Sequence, residues 1–280
     1  FTNFDVNGFW VGKYETGYEG ATTTEEAQVN EENLNKVIIK PNTYSWRGLT
    51  VSNMFKTAYN YNRELDSHMM KNTEWGAVAY LSHSKYGINT EVRINNNSNY
   101  LTGYAAVDGT DQSSYPGTSG TDSTKTLPYN TETGYKASTT GNITGIYDMS
   151  GGAWEYVAGY MPSSSDASGF TSTELNTYSK YLDLYQDNST LTSYNNRKLG
   201  DATGELGPFY FYTDKDNNKR HRNNWYSDSS VFVASFVPWF LRGGNHDASA
   251  LAGQFNFDRG TGGVYTSDGF RLVLTPQTKN

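Results

Sequence analysis

The chain has 280 residues, a formal net charge of −7 and no cysteine. The acidic balance and the lack of a basic stripe predict no nucleic-acid partner, because phosphate binding relies on clustered Lys and Arg. The missing cysteines exclude disulfides, thiolate nucleophiles and cysteine-ligated zinc. No apolar run is long enough to cross a bilayer, so we predict no membrane contact by this segment.

The N-terminal part predicts two short strands and a helix. Residues 9–16 (FWVGKYET) are largely aromatic and β-branched, which is typical of a strand. Residues 37–40 (VIIK) predict a short buried strand that ends at Pro41. Apolar residues at helical spacing predict a helix over 50–61, with Ser52 as its cap.

The clearest helical pattern covers residues 72–87 (NTEWGAVAYLSHSKYG). Asn72 or Thr73 is a suitable N-cap, and Gly87 is a suitable C-cap because glycine adopts the left-handed conformation easily. Gly76 is the residue that fits a helix least. One face of this helix carries Trp75, Val78, Ala79 and Ser82.

Two long stretches, 88–140 and 160–230, are rich in Asn, Ser, Thr, Gly and Tyr and predict long irregular surface excursions with short strands. The basic run at 219–222 (KRHR) predicts a solvated loop. The segment that begins at Asp214 starts like a calcium-binding loop, with oxygen donors at Asp214, Asp216 and Asn218. Its sixth and twelfth positions do not fit an EF-hand. A structural calcium site of another kind remains an alternative, and no other cofactor is predicted.

Three motifs follow one another along the chain. Residues 73–75 read Thr-Glu-Trp and residues 147–156 read YDMSGGAWEY. The C-terminal part contains Arg-Gly-Gly at 242–244 and Gly-Phe-Arg at 269–271. In this order they resemble the formylglycine-generating-enzyme-type branch of the C-type lectin fold. The resemblance implies an α+β fold of that type, in one domain over residues 1–280.

The charged residues of these motifs fit a structural role. The glutamates neighbour tryptophans and the arginines follow apolar strands, which predicts partly buried carboxylate–guanidinium pairs. A general acid or base is the alternative. The residues concerned are Glu74, Glu155, Arg242 and Arg271. The motif tryptophans predicted to lie in the core are Trp75, Trp154 and Trp239.

The chain departs from the chemistry of that family. Formylglycine-generating enzymes use active-site cysteines, and the ergothioneine-type branch uses a histidine cluster around iron. The histidines of this chain show no i,i+4 or H-x-H ligand spacing. The sequence therefore predicts no catalytic residue and no metal ligand. These histidines are His68, His83, His221 and His246.

The segment 239–274 places irregular side chains in a regular frame. Phe255 and Phe257 predict a strand that faces the core at alternate positions, and Phe270 and Leu272 lie on one face of the last predicted strand. This layout resembles the variable region of proteins diversified by diversity-generating retroelements, where chosen positions on one exposed face are randomised. An ordinary solvated surface is the alternative. The resemblance implies ligand-binding variable positions at Leu241, His246, Asp247, Ser249, Leu251, Asp258, Val264, Tyr265, Ser267 and Asp268, with Asn245, Asn256 and Thr261 as further candidates.

Together these features predict a non-enzymatic receptor or adhesin, outside the bacterial cell or on a phage particle. Its partner would be a protein or glycan on another cell or virus. Because the chain begins at Phe1, we expect a processed protein or a fragment whose anchor or export signal lies outside it. The alternatives are a divergent formylglycine-generating-type enzyme and a structural pilus or phage component without a variable face.

Overall fold

The computed structural model describes residues 8–107, 124–186, 198–203, 226 and 228–276, and the backbone alone of 209–213 and 219–223. The protein is mixed α+β, as predicted, with short helices and several small sheets. The α-helices are α1 (Val51–Tyr61), α2 (Asn72–Ser82), α3 (Glu132–Tyr135) and α4 (Ser172–Thr177). The strands are β1 (Trp10–Val11), β2 (Gly17–Tyr18), β3 (Val37–Ile38), β4 (His68–Met69), β5 (Tyr104–Ala106), β6 (Thr126–Pro128), β7 (Trp154–Tyr160), β8 (Asp183–Leu184), β9 (Phe209–Thr213), β10 (Lys219–Asn223), β11 (Trp239–Gly243), β12 (Gly253–Gly260), β13 (Asp268–Phe270) and β14 (Leu272–Leu274).

The central sheet has the strand order β12-β11-β7-β13, and β8 also pairs with β7. β11 is antiparallel to both β12 and β7, whereas β13 runs parallel to β7. In this register Leu241 lies opposite Asp258 on one side and opposite Tyr156 on the other. The C-terminal segment therefore supplies three strands of the sheet.

Both faces of the central sheet are buried. Because side chains alternate along a strand, Trp239 and Leu241 point to one face, and Phe240 points to the other. The first face packs against α1 in the α1-side cluster, and the second packs against α2 in the α2-side cluster. Burying each large apolar side chain contributes about 1.5–3 kcal/mol, so these clusters stabilise the sheet strongly. The α1-side cluster includes Trp46, Met54, Phe55, Tyr156 and Phe270; the α2-side cluster includes Trp75, Val78, Val157, Phe255 and Phe257.

The last predicted strand is divided at Arg271. β13 belongs to the central sheet, whereas β14 lies in a separate sheet with the order β1-β14-β4. The strand predicted over 9–16 is reduced to β1, in which Trp10 is 70% exposed because β1 is an edge strand. The strand predicted over 37–40 is present as β3, but it is shorter than predicted and half-buried rather than buried. Among the described residues it pairs with β2.

α1 matches its predicted position and α2 begins where predicted but is shorter, and neither helix has its predicted cap. α1 is capped by Thr50, whose Oγ1 accepts from the backbone N–H of Asn53 at 3.3 Å, and not by Ser52. Lys71 is the N-cap of α2, where its N–H donates to the Glu74 carboxylate at 2.9 Å. The predicted C-cap at Gly87 is wrong, because the chain leaves the helix at Ser82 and continues in a turn. The predicted face of α2 is buried throughout, at Trp75, Val78, Ala79 and Ser82.

Gly76 has a packing explanation inside α2. A Cβ at this position would overlap the backbone of Gly200 and Asp201. The lower helix propensity of glycine, about 1 kcal/mol relative to alanine, is the cost of this close approach. The packing thus explains why a residue that disfavours helices lies in the buried face of α2.

The predicted surface excursions are partly core. Ile94 and Ala106 are fully buried and pack against Ala252 beside β12. β5 pairs with β6 in an antiparallel ladder. The basic run 219–222 is not a loop but lies in β10, which pairs with β9. The oxygen donors predicted for a calcium loop at 214–218 lie outside the described residues.

Candidate functional site

One of the predicted ion pairs is present and the other is not. Arg271 and Glu155 are both buried and bind each other through two hydrogen bonds, of which Nε–Oε2 measures 3.0 Å. Glu74 instead accepts from Lys71 and lies 2.9 Å from Nε2 of His68. Its carboxylate therefore turns back toward the start of α2.

Arg242 is fully buried and is held mainly by neutral oxygens. Its Nη1 donates to Asn72 Oδ1 at 2.8 Å and to the carbonyl of Asp201 at 2.9 Å. Its Nε donates to the carbonyl of Asn256 at 2.9 Å. Arg242 therefore ties β11 to α2 and β12. Of the predicted core tryptophans, Trp75 and Trp239 are fully buried and Trp154 is half-buried.

Three buried carboxylates surround Arg271. Besides Glu155, these are Glu15 and Asp148, which the sequence analysis did not identify. Glu15 accepts from the backbone of Ala153 at 2.9 Å and from the Ser45 hydroxyl. Burial raises the pKa of all three carboxyls, that of Glu155 to about 7, although Arg271 opposes this shift. Since one guanidinium cannot neutralise three carboxylates, we infer that the group holds a proton near neutral pH.

The variant Glu15→Gln tests this inference through the pH dependence of stability. Burial raises the pKa of Glu15 in the folded protein above its ordinary value of 4.5. Its contribution to the free energy of unfolding is therefore fully present below pH 4.5 and is lost as the pH rises through the pKa of the folded state. The amide oxygen can still accept from the backbone of Ala153, and the amide NH₂ can donate to the Ser45 hydroxyl oxygen, so both contacts persist without a charge. We expect Glu15→Gln to match the wild type near pH 5 and to exceed its free energy of unfolding at pH 8 by about 1–3 kcal/mol. Urea unfolding at several pH values measures this, and Glu19→Gln, at an exposed position, serves as control. A difference in the free energy of unfolding between Glu15→Gln and the wild type that does not change with pH would contradict the inference.

The predicted ligand-binding positions differ in exposure. Val264 and Tyr265 are 49% and 46% exposed, and Asp247 is also exposed. The remaining half-buried positions are His246, Ser249, Leu251, Asp258 and Ser267, with Asn245 and Thr261 among the further candidates.

Two of the ten positions are buried, contrary to the expected exposure. Leu241 is 7% exposed because β11 has partner strands on both sides and Leu241 faces the α1-side cluster. Asp268 is 4% exposed because β13 pairs with the start of β7. The further candidate Asn256 is fully buried in β12. A ligand at the surface would therefore not contact Leu241 or Asp268 directly.

The structure brings several of these positions together around β13. Ser267 Oγ donates to Asp268 Oδ1 at 2.7 Å, and the hydroxyls of Thr261 and Tyr265 are 3.3 Å apart. Burial raises the pKa of Asp268 to about 6, and the nearby charge of Asp258 adds to the shift. This part of the segment therefore combines hydroxyl groups, an aromatic ring and two neighbouring carboxyl groups.

Arg47 and Tyr100 complete this face, although no sequence motif indicated either residue. The Arg47 guanidinium lies 3.8 Å from the ring centroid of Tyr100, and that ring lies 4.7 Å from the ring of His246. Arg47 also donates to the carbonyls of Thr24 (2.7 Å) and Thr266. Its bond to Thr266 holds the loop before β13 from the buried side. No local pattern identifies Arg47, since Thr266 is 219 residues away. We call Arg47, Tyr100, His246, Asp247, Asp258, Val264, Tyr265, Ser267 and Asp268 the β13 face.

Ser249 and Leu251 have other neighbours. They lie in a 3₁₀ turn before β12, where the carbonyl of Leu251 accepts from the backbone of Ser229 at 3.0 Å and from the side chain of Asn256 at 2.5 Å. These contacts place the turn against residues 228–230. The predicted positions are therefore divided between this turn and the β13 face.

Within the described ranges, no three side chains of the kinds that bind metals (His, Asp or Glu) are grouped to hold an ion. Nor does any described helix have the length and apolar character needed to cross a membrane. Neither a protein-family model nor a curated protein matches the chain.

Proposed function

We propose that this protein is a non-enzymatic binding module, a receptor or adhesin that presents a diversified C-terminal surface on a C-type lectin fold. The observation that carries the proposal is the contrast within the segment 239–274. Its frame is fully buried, whereas Asp247, Val264 and Tyr265 are exposed between the frame residues. Exposed side chains on a rigid support are the usual means of recognition. The frame residues are Trp239, Arg242, Phe255, Phe257 and Phe270.

The meeting of the motifs supports the proposed fold of the formylglycine-generating-enzyme type. Arg242 and Gly269 both lie opposite Glu155 in the central sheet, and Arg271 binds its carboxylate. Motifs from distant parts of the chain thus converge on β7. We propose one domain of this type, with the β13 face and the turn around Leu251 as its ligand-binding surface.

The chemistry of the β13 face suits a protein or glycan on another cell or virus. Tyr265 is an exposed aromatic side chain that can anchor a partner with little loss of entropy. The hydroxyls and carboxylates around it can bind either amides or sugar hydroxyls. An extracellular or phage-particle location follows from this role.

Sequencing this gene from many related cells or phages tests the proposal without a known ligand. We expect substitutions to concentrate at the ten predicted positions, and to spare Trp239, Arg242 and Phe270. A near-copy of the segment beside a reverse-transcriptase gene should differ from it mainly at adenines. An even spread of substitutions over the exposed surface would contradict diversification.

A triple variant tests whether the exposed positions are free of a folding role. We expect Asp247→Ala, Val264→Ser and Tyr265→Ser together to change the free energy of unfolding by about 0.5 kcal/mol or less per site, as usual for surface substitutions. Thermal and urea unfolding measure this. Leu241→Ser is the matched control from the buried set, and it should cost more. A triple variant as unstable as the control would show that these side chains serve packing.

A further inference from the structure

Tyr100 joins the C-terminal segment to parts of the chain outside it. The centroid of its ring lies 3.8 Å from the Arg47 guanidinium and 4.7 Å from the centroid of the His246 ring. Its carbonyl accepts from the backbone of Ser45 at 2.9 Å. Asp247, which follows His246, is exposed. Tyr100 is therefore a neighbour of predicted binding positions, although it lies far before them in the chain.

The backbone of Tyr100 has an unfavourable conformation. Its φ is 56°, in the left-handed region that favours glycine and asparagine. The preceding turn fixes this conformation, because the N–H of Tyr100 donates to the carbonyl of Asn97 at 2.9 Å, and Oδ1 of Asn97 accepts from the backbone of Asn99 at 3.0 Å. Holding a non-glycine residue there costs of order 1–3 kcal/mol, and such residues concentrate at binding sites. The side chain of Tyr100 must therefore supply something that glycine or asparagine would not.

The ring of Tyr100 covers the buried charge of Arg47. Arg47 is 1% exposed, and among the described residues no carboxylate lies within ion-pair distance of its guanidinium. Its donors go to Thr24 and to the carbonyl of Thr266, and the face of the Tyr100 ring stabilises the positive charge. A phenylalanine ring would give the same cover. This contact explains the ring of Tyr100 but not its hydroxyl group.

The hydroxyl group of Tyr100 is available to a partner. Within the part of the chain that the structure describes, it has no hydrogen-bond partner, and it is not fully buried. The ring is held between Arg47 and His246, so a bond to the hydroxyl group would cost little side-chain entropy. Tyrosines in such positions supply much of the binding energy of protein interfaces.

We infer that Tyr100 is a fixed contact residue of the ligand-binding surface, and that its hydroxyl group bonds a protein partner held by the variable positions around it. The inference rests on the proposed binding function. Tyr100 lies outside the segment 239–274, so diversification of that segment leaves it unchanged. A hydroxyl group both donates and accepts hydrogen bonds, and it therefore suits the peptide groups that every protein presents.

A library of this protein with randomised positions in the β13 face tests the inference, with ubiquitin as the probe. Binders are selected by yeast display, and their Kd is measured by biolayer interferometry. We expect Tyr100→Phe to raise the Kd of most binders about two- to tenfold, the range for one hydrogen bond, without lowering their melting temperature. Tyr86→Phe changes an exposed tyrosine outside the β13 face and should leave the Kd unchanged. The randomised positions are His246, Asp247, Asp258, Val264, Tyr265 and Ser267.

The outcomes separate this inference from the proposed function. A folded library that yields no binder would contradict the proposed function, and the inference with it. Binders that keep their Kd in Tyr100→Phe would contradict the inference alone. A melting temperature that falls together with the affinity in Tyr100→Phe would also contradict it, since the hydroxyl group would then serve folding. Tyr100→Ala does not separate these cases, because it also uncovers Arg47.

Discussion

Replacing Trp239 with alanine should lower the free energy of unfolding by about 3–5 kcal/mol, the range for removing a large core aromatic side chain. Trp239 is fully buried in the α1-side cluster. Its ring stacks between Tyr160 and Phe170, with centroid distances of 5.0 and 5.7 Å. Its Nε1 donates to Asp166 at 2.9 Å, so the variant loses a hydrogen bond as well as packing. Urea unfolding followed by circular dichroism measures the loss.

Trp10→Ala is the matched control, since this tryptophan is exposed at an edge strand. It should change the free energy of unfolding by about 0.5 kcal/mol or less. Trp239→Phe should fall between the two variants, because it keeps a stacked ring but not the hydrogen bond. An unchanged unfolding midpoint in Trp239→Ala would show that the α1-side cluster is not the core of the protein.

Replacing Arg271 with methionine should cost about 3–5 kcal/mol, the range for removing one partner of a buried ion pair. Methionine keeps much of the volume but none of the charge. Glu15, Asp148 and Glu155 would then share a buried space without their cation. The variant also loses the bond from Arg271 to the carbonyl of Gly12 at 2.8 Å, which helps to hold the N-terminal strand.

The pH dependence distinguishes lost charge from lost packing in Arg271→Met. Protonated carboxyl groups need no cation, so the cost should be largest at pH 8 and should shrink as pH falls. Adding Glu155→Gln to Arg271→Met should recover part of the loss, as in a double-mutant cycle. The control Arg259→Met, in which a half-buried arginine bonded to the carbonyl of Phe232 is replaced, should cost about 1 kcal/mol. A cost for Arg271→Met that does not vary with pH would show that packing dominates.

Local patterns predict an element of this protein where the spacing of its own apolar residues shows which of its faces is buried. The apolar face of α2 is readable from its spacing, and the turn before β7 is readable from Gly151 and Gly152. The pair of Glu155 and Arg271 is also predictable in kind, because a charge next to buried residues needs a partner. The α+β class was implied by the resemblance of the three motifs, and the mixed α+β structure agrees with it.

The wrong predictions have two different physical causes. Glu74 was predicted to pair with an arginine but accepts from Lys71 and lies beside His68, because a carboxylate in the first turn of a helix can turn back onto the residues just before it. Leu241 was predicted to be exposed, although β11 is an inner strand with clusters on both faces. The burial of Leu241 cannot be read along the chain, since it depends on which segments lie alongside β11.

The sequence by itself determined the periodic elements, the aromatic frame of the C-terminal segment and the lack of cysteine chemistry. The tertiary structure alone decided the contacts between distant segments. It brought Arg47 beneath the β13 face and gathered Glu15 and Asp148 around Arg271. The reason is that periodicity reports on the face that an element buries, whereas a charge partner is chosen by the packing of the whole chain.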